Sequence, residues 1–292
     1  MIDLRENETV VSNLKLKNTV GFDIEQTGAG YDYDGPIEIG FVPFDQNKSN
    51  SKYIMNCRLN FGIFPVPAVG VNVIGKSYDD IQNAPYSSYQ GIMRTNYYIS
   101  AYLRGKTIAG HNLHQFDIGR LNQYNYANLL KPWPLSRTNE NYIFDTTFFV
   151  KAYCAFNNDI QFIDEEGVHR YKLEIVSKYF KGQSHVQDHG VLKDIEDVRD
   201  VILDIGDRDK NFINLTYNQF YPEERLNVLK DSPIIAKTIY RKNSGADLTL
   251  HIPLFDHKWK GYYSILSVKE NDPLEQTEDY LYNKFRDVKR AQ

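Results

Sequence analysis

Apolar and polar positions alternate in three stretches near the start of the chain. The stretches span residues 19–25, 37–43 and 52–60, and turn-forming segments rich in Gly, Asp and Asn separate them. A period of two is typical of half-buried strands. The pattern therefore predicts that the fold begins with three antiparallel strands.

Further along the chain the pattern changes to helices and short strands in alternation. The apolar runs 106–110 and 143–145 predict buried strands, followed by helices near 117–121 and through residue 152. Strands first, and strands alternating with helices later, predict an α/β protein with a mixed sheet flanked by helices. Apolar residues at helical spacing mark three more helices: Ile92, Ile99 and Leu103; Leu173, Val176 and Phe180; and Val191, Ile195, Val198 and Ile202.

The last part of the chain has a different pattern. Residues 206–230 are largely polar without a clear period and predict a linker. Three short strands are predicted at 234–240, 247–252 and 261–268, and an amphipathic helix at 274–288. We therefore predict a first domain over 1–205, a linker over 206–230, and a small all-β module with a C-terminal helix over 231–292.

Composition limits the function. The net charge is −4 and the pI is near 6.0, whereas a protein that coats duplex DNA through its charge is expected to be basic. Cys57 and Cys154 form neither a metal-binding pair nor a disulfide framework, which is consistent with a reducing compartment. With no apolar leader and no stretch long enough to span a bilayer, the sequence predicts a soluble, intracellular (cytoplasmic) protein without a membrane partner.

Two acids one residue apart end the first predicted strand. Asp23 and Glu25 point to the same face because residues two apart in a strand do so, and the chain then turns at Gly28. Two carboxylates side by side repel each other unless a cation neutralises them. Mg²⁺ prefers carboxylate oxygens, so the pair predicts a metal site at the strand end.

Two later segments supply further acids. Asp117 enters a helix after the polar turn that contains His111 and Asn112, and Asp194 lies in a helix whose preceding loop contains His189. Four acids and a histidine suit two-metal phosphoryl transfer, in which a histidine that is free of metal accepts a proton from water.

These segments resemble the three motifs of the DEDD 3′→5′ exonucleases, in the histidine-bearing, DnaQ-like subgroup. The matching residues are Phe22-Asp-Ile-Glu-Gln-Thr-Gly28, then His111-Asn112 with Phe116-Asp117, then His189 followed by Asp194. The segment 65–75 and the C-terminal β segments are similar to bacterial exonuclease I-type enzymes, where an SH3-like module follows the nuclease domain. The resemblance implies a ribonuclease H-like domain followed by a small SH3-like all-β domain.

The resemblance also implies an activity and a set of roles. The activity is that of a phosphodiester hydrolase that degrades single-stranded DNA from its 3′ end to nucleoside 5′-monophosphates, with two Mg²⁺ or Mn²⁺ ions per site. The resemblance assigns metal binding to the four acids and the role of general base to His189. The implied metal ligands are Asp23, Glu25, Asp117 and Asp194, and the implied substrate contacts are Glu25, Thr27, Asn112, Phe116 and Lys172.

Three alternatives stay open from the sequence. The motifs are shared with 3′→5′ exoribonucleases, and recognition of the 2′-hydroxyl is not readable from sequence. A non-catalytic nucleic-acid-binding module is the second alternative, although no motif acid is missing. The third is a role in protein assembly, in which the β module docks a protein partner and which is compatible with catalysis. The first motif departs from the family's usual Glu-Thr-Thr or Glu-Thr-Phe, since Gln26 and Thr27 follow Glu25. The chain ends at residue 292 without the further helical domain that completes the clamp in bacterial exonuclease I, which argues against high processivity.

Overall fold

The structure is a computed structural model of the 292-residue chain. It describes residues 18–28, 30, 34–45, 54–60, 75–136, 139–157, 159–164, 166–182, 190–210, 212–213 and 216, and the backbone of three later strands, 235–241, 245–255 and 263–268. These residues belong to two compact units. The first lies within Met1–Val150 and Tyr171–Thr216, and the second within Lys151–Arg170 and Tyr217–Gln292.

The predicted strands and helices of the first unit are present in the predicted order, and the structure adds a short helix at Tyr78–Gln82 and a two-residue strand at Tyr86–Ser87 that the pattern did not predict. The elements are β1 (Thr19–Gln26), β2 (Pro36–Pro43), β3 (Met55–Asn60), α1 (Tyr78–Gln82), β4 (Tyr86–Ser87), α2 (Ser88–Tyr102), β5 (Thr107–Gly110), α3 (Asp117–Ala127), β6 (Tyr142–Asp145), α4 (Thr146–Phe156), α5 (Leu173–Lys181) and α6 (Val191–Arg208).

Six strands form one mixed sheet in the order β4-β3-β2-β1-β5-β6. The pairs β1–β2 and β2–β3 are antiparallel, while β1–β5, β5–β6 and β3–β4 are parallel. The predicted antiparallel start and the predicted mixed sheet are both confirmed. β1 lies between β2 and β5; its amino-terminal half pairs with both, and its carboxyl end, from Phe22 to Gln26, pairs with β2.

One face of this sheet carries the hydrophobic core. Phe22 of β1 stacks on Phe41 of β2 with ring centroids 4.6 Å apart, and neither side chain is exposed. Helix α2 covers this face with Ile92 and Ile99, as its apolar spacing predicts. Ser87 and Gln90 form a capping box at its start, which fixes where the helix begins.

Helix α6 packs on the opposite face, next to β1 and β2. Its buried residues recur at helical spacing, and two glycines on the strands let it come close. A Cβ on Gly21 would overlap the side chain of Ile195, and a Cβ on Gly40 would lie 2.7 Å from Val191 Cγ2. Helix α6 continues to Arg208, past the predicted domain end at residue 205, because Ile205 and Gly206 are buried.

The second unit contains a three-stranded antiparallel sheet in the order β7-β8-β9, formed by Ile235–Arg241, Gly245–Phe255 and Tyr263–Val268. All three strands were predicted, although β8 is longer at both ends than the predicted 247–252. The helix predicted at 274–288 lies outside the described residues. Within the part of the chain that the structure describes, no helix is both long and apolar enough to cross a bilayer.

Candidate metal centre

The carboxyl end of β1 presents two acids on the face that α6 covers. Asp23 and Glu25 alternate with Phe22 and Ile24, whose side chains are buried in the core on the other face. Both acids are half-buried. This placement follows from strand geometry, because successive side chains point to opposite faces of the sheet. Phe22 and Ile24 enter the core on one face, so Asp23 and Glu25 lie on the face that α6 covers.

Asp194 joins the two strand acids from the first turn of α6. One carboxylate oxygen from each of Asp23, Glu25 and Asp194 lies within 4.8 Å of the others. Asp194 has only 7% of its surface exposed. Gly190 begins the helix, and its carbonyl accepts hydrogen bonds from Lys193 N (2.8 Å) and Asp194 N (3.0 Å), so the first turn that carries the acid is well formed.

Asp117 lies beside this cluster and is tied to β1. It is the first residue of α3 and is 2% exposed. Its Oδ1 accepts a hydrogen bond from the backbone N–H of Ile24 at 3.1 Å, between the two strand acids. The structure therefore brings all four acids to one region, with three close enough to share an ion and the fourth anchored next to them.

The acids perturb one another strongly. Burial, followed by the neighbouring carboxylates of Asp117, Glu25 and Asp194, raises the pKa of Asp23 well above its usual range. Burial and the charge of Asp194 raise the pKa of Glu25 to about 8. Burial also raises the pKa of Asp117 to about 8, although hydrogen bonds from its own N–H and that of Ile24 act in the opposite direction.

The residues fit a divalent cation. Asp23 Oδ2 is a buried oxygen without a hydrogen-bond partner, and such atoms are rare in folded proteins. Two ionised carboxylates about 4.8 Å apart repel by roughly 3.5 kcal/mol at an effective dielectric constant near 20. A cation between Asp23, Glu25 and Asp194 would satisfy the orphaned oxygen and remove this repulsion, and an all-oxygen ligand set suits Mg²⁺ or Mn²⁺.

A buried aspartate on β6 organises the loop that leads to Asp117. Asp145 Oδ1 accepts hydrogen bonds from the backbone N–H groups of Asn112 and Thr147, and Oδ2 accepts one from His114, all at 3.0 Å. Asn112 has a φ of 64°, a left-handed conformation that Asn tolerates better than most residues. The loop conformation therefore depends on the buried carboxylate of Asp145, which is not one of the three acids that lie close enough to share an ion.

The other predicted substrate contacts differ in their exposure to solvent and in the groups they contact. The N–H of Thr27, predicted to face a nucleotide, donates to Gly35 O at 3.1 Å, and its side chain is buried. Phe116 is half-buried with the guanidinium of Arg120 over its ring at 5.3 Å. Asn112 is half-buried in the loop, and Lys172 is exposed at the start of α5.

His189, the predicted general base, lies outside the described residues. Sequence reasoning assigned no role to Asp145, Glu38 or Lys76, although each contributes to the site's surroundings. Asp145 had a usable signal, since an acid that ends a short buried strand in a parallel sheet reaches the same sheet edge as the acids of β1. Lys76 had none, because a lysine in a polar segment is ordinarily solvated.

Solved structures of exonuclease I are similar to this chain. Exonuclease I from Methylocaldum szegediense aligns with a TM-score of 0.64 and 18% identity over 81% of this chain and 51% of its own. E. coli exonuclease I in complex with a dA16 oligonucleotide gives 0.63 and 15% over 80% and 51%. The zinc-bound E. coli exonuclease I–single-stranded DNA complex gives 0.61 and 13% over 81% and 51%.

These likenesses establish the fold. The chain spans about half the length of the exonuclease I chains it matches. No protein-family model matches the sequence, and no curated protein matches it either. The resemblance to the DnaQ-like exonucleases, drawn from three motifs, is confirmed at the level of the fold.

Proposed function

We propose that this protein is a metal-dependent 3′→5′ exonuclease that degrades single-stranded DNA to nucleoside 5′-monophosphates. The observation that carries the proposal is the convergence of Asp23, Glu25 and Asp194, from segments about 170 residues apart, around a buried oxygen that lacks a partner. The fold supports it, since the similar structures include exonuclease I complexes with single-stranded oligonucleotides.

The chain's own residues then have defined tasks. Asp23, Glu25 and Asp194 would hold divalent cations, with Asp117 next to them and fixed by the backbone of Ile24. When bound, two such ions activate water and stabilise the leaving oxygen in phosphodiester hydrolysis. We assign His189 as the base that accepts the proton from the attacking water, because a histidine titrates near neutral pH.

The protein positions the terminal nucleotide with the loop 111–116. Asp145 sets the path of this loop through two backbone hydrogen bonds, from the N–H groups of Asn112 and His114, and the side chains of Asn112 and Phe116 are half-buried. We assign these two residues to the nucleotide pocket and the exposed Lys172 to a phosphate contact. Glu25 keeps its predicted contact with the terminal nucleotide, whereas Thr27 acts through the turn it stabilises.

The proposal also covers the rest of the chain. We assign residues 1–205 to the nuclease domain, 206–230 to a linker and 231–292 to an SH3-like module that docks nucleic acid or a protein partner. The three-stranded antiparallel sheet of this region supports an all-β module. Mg²⁺ and Mn²⁺ are the proposed physiological ions.

A polarity assay with a site variant tests the proposal. A 5′-labelled single strand should shorten stepwise in Mg²⁺ or Mn²⁺, and a blocked 3′ end should protect it. Asp194→Asn should lower the rate by more than about a hundredfold. Loss of an outer-shell partner of a metal costs about 10- to 100-fold, and loss of a direct ligand should cost more. The matched control Asp159→Asn changes an exposed acid of the second unit and should retain activity.

Four outcomes contradict the proposal at different levels. Shortening of the 3′-blocked strand overturns the polarity. Faster hydrolysis of a matched RNA strand overturns the DNA assignment but keeps the exonuclease class. Full activity of Asp194→Asn overturns the site itself, and binding without hydrolysis in every metal leaves a nucleic-acid-binding module.

A further inference from the structure

An ion pair between a buried glutamate and a half-buried lysine lies beside the acid cluster and takes no part in the function proposed above. Glu38 of β2 stands directly opposite Glu25 of β1 in the antiparallel register. Residues directly opposite share one face of the sheet, with Cβ atoms about 4.5–5.5 Å apart. Glu38 is 4% exposed, so a fifth carboxylate is buried next to the four acids already described.

Lys76 forms the other half of the pair. Its Nζ contacts Glu38 Oε2, and only 23% of the lysine side chain is exposed. The residue that follows, Ser77, caps α1 in a reciprocal arrangement with Asp80, in which each side chain accepts a backbone N–H at 3.1 Å. The backbone next to Lys76 is therefore held in place, and the ammonium group is fixed rather than free on the surface.

Both charges of the pair act on the cluster. Glu38 raises the pKa of Glu25 and Lys76 lowers it, so each charge is close enough to affect a proposed ligand. Arg58, which stands opposite Glu38 on β3, is exposed to solvent. Among the described residues, the half-buried Lys76 is thus the cation that pairs with Glu38.

We propose that Lys76 is a positioning residue of the metal centre, which pairs with Glu38 and keeps this carboxylate out of the ligand set. The inference rests on the proposed function, because it requires that the acids bind a divalent cation. Without the lysine, Glu38 would be an unpaired hard-oxygen ligand across from Glu25. An ion drawn toward Glu38 would move away from Asp194 and from the geometry that hydrolysis needs.

A charge cycle tests this role without measuring activity. Lys76→Met adds one net negative charge beside the site, Glu38→Gln adds one positive charge, and the double variant restores the original balance. Mn²⁺ binding by calorimetry, without DNA, should therefore be tightest in Lys76→Met, weakest in Glu38→Gln and near wild type in the double variant. Even with the screening of a water-like dielectric, a unit charge about 7 Å from a divalent ion changes Kd roughly fivefold, so we expect at least this change per step.

Hydrolysis gives a second readout. At saturating Mn²⁺, Lys76→Met should have a lower kcat despite its tighter binding, and adding Glu38→Gln should recover most of the loss. Lys178→Met, which removes a lysine from an exposed pair with Glu174 on α5, is the matched control and should change neither quantity. If Lys76→Met does not fold, Glu38→Gln and the double variant carry the test, since neither buries an unpaired carboxylate.

The outcomes separate the two proposals. A wild-type protein that binds no Mn²⁺ contradicts the proposed function itself. If the wild type binds Mn²⁺ but both single variants weaken binding, or leave it unchanged, the positioning role is wrong and the metal site stands. Loss of DNA binding in Lys76→Met with an unchanged Kd for Mn²⁺ also overturns it, because the lysine would then serve the substrate.

Discussion

The metal-free protein should lose stability as the pH rises, and Glu25→Gln should remove part of that loss. In the folded state the pKa of Glu25 is raised from 4.5 to about 8 by burial and by Asp194. The folded protein therefore binds more protons than the unfolded chain between these two values. Since stability falls with pH wherever the folded state binds more protons, the loss should appear between about pH 4.5 and 8.

The size of the effect follows from the shift. A change of one pKa unit corresponds to about 1.4 kcal/mol, so 4.5 to about 8 gives at most about 5 kcal/mol. Partial exposure and coupling to the other acids reduce this, and we expect about 2–3 kcal/mol. For a protein of this size, that corresponds to a decrease in Tm of about 5–10 °C between pH 5.5 and 8.5.

Thermal unfolding in EDTA measures this directly. The wild type should show the decrease, while Glu25→Gln should be less sensitive to pH and more stable than the wild type at pH 8.5. Mn²⁺ should restore the wild type at pH 8.5 but not the variant. Glu140→Gln, which changes an exposed acid paired with Arg104, is the control and should follow the wild type within about 1 kcal/mol. Equal wild-type stability at both pH values, or a less stable Glu25→Gln at pH 8.5, would refute the reasoning.

Three further predictions concern the surroundings of the site. Gly40→Ala should destabilise the protein by about 1–3 kcal/mol and weaken Mn²⁺ binding, because the new Cβ would lie 2.7 Å from Val191 Cγ2 and push α6 outward. Chemical denaturation of the double variant should show that Val191→Ala restores part of the stability lost in Gly40→Ala. If the two losses of unfolding free energy simply add, the steric explanation is contradicted. Asp145→Ala should cost about 2–4 kcal/mol and reduce activity at saturating metal, since it removes three backbone hydrogen bonds to a carboxylate; an unchanged rate would show that the loop does not need this anchor. Binding of Mn²⁺ at pH 7 should release about one to two protons, because the pKa values of Glu25 and Asp117 are about 8 and a metal requires the ionised forms; calorimetry in buffers of different ionisation enthalpy should find fewer protons at pH 9.

The sequence predicted the sheet because its strands obey simple patterns. Val20, Phe22 and Ile24 alternate with Asp23 and Glu25, and this alternation gives both the strand and the face on which the acids lie. Helix α6 was equally readable from Val191, Ile195 and the apolar residues that follow at helical spacing. Its continuation to Arg208 was not predicted, although Ile205 follows Ile202 at helical spacing and is buried.

The surroundings of the acids were less accessible to sequence reasoning. No local pattern pairs Lys76 with Glu38, because their contact joins residues 38 positions apart in the sequence. The role of Thr27 depends on a hydrogen bond to Gly35 that closes the turn after β1, which composition alone does not specify. Long-range hydrogen bonds and ion pairs of this kind are fixed by tertiary packing rather than by periodicity.

The placement of Asp194 has a consequence for biosynthesis. A ribosome delivers the two acids of β1 early, but the third member of the cluster emerges about 170 residues later, on a helix that must then settle against Gly21 and Gly40. Until that docking occurs, a nascent or prematurely terminated polypeptide has an incomplete ion-binding centre. A fragment that ends before α6 therefore lacks the complete ion-binding centre and any reaction that depends on it.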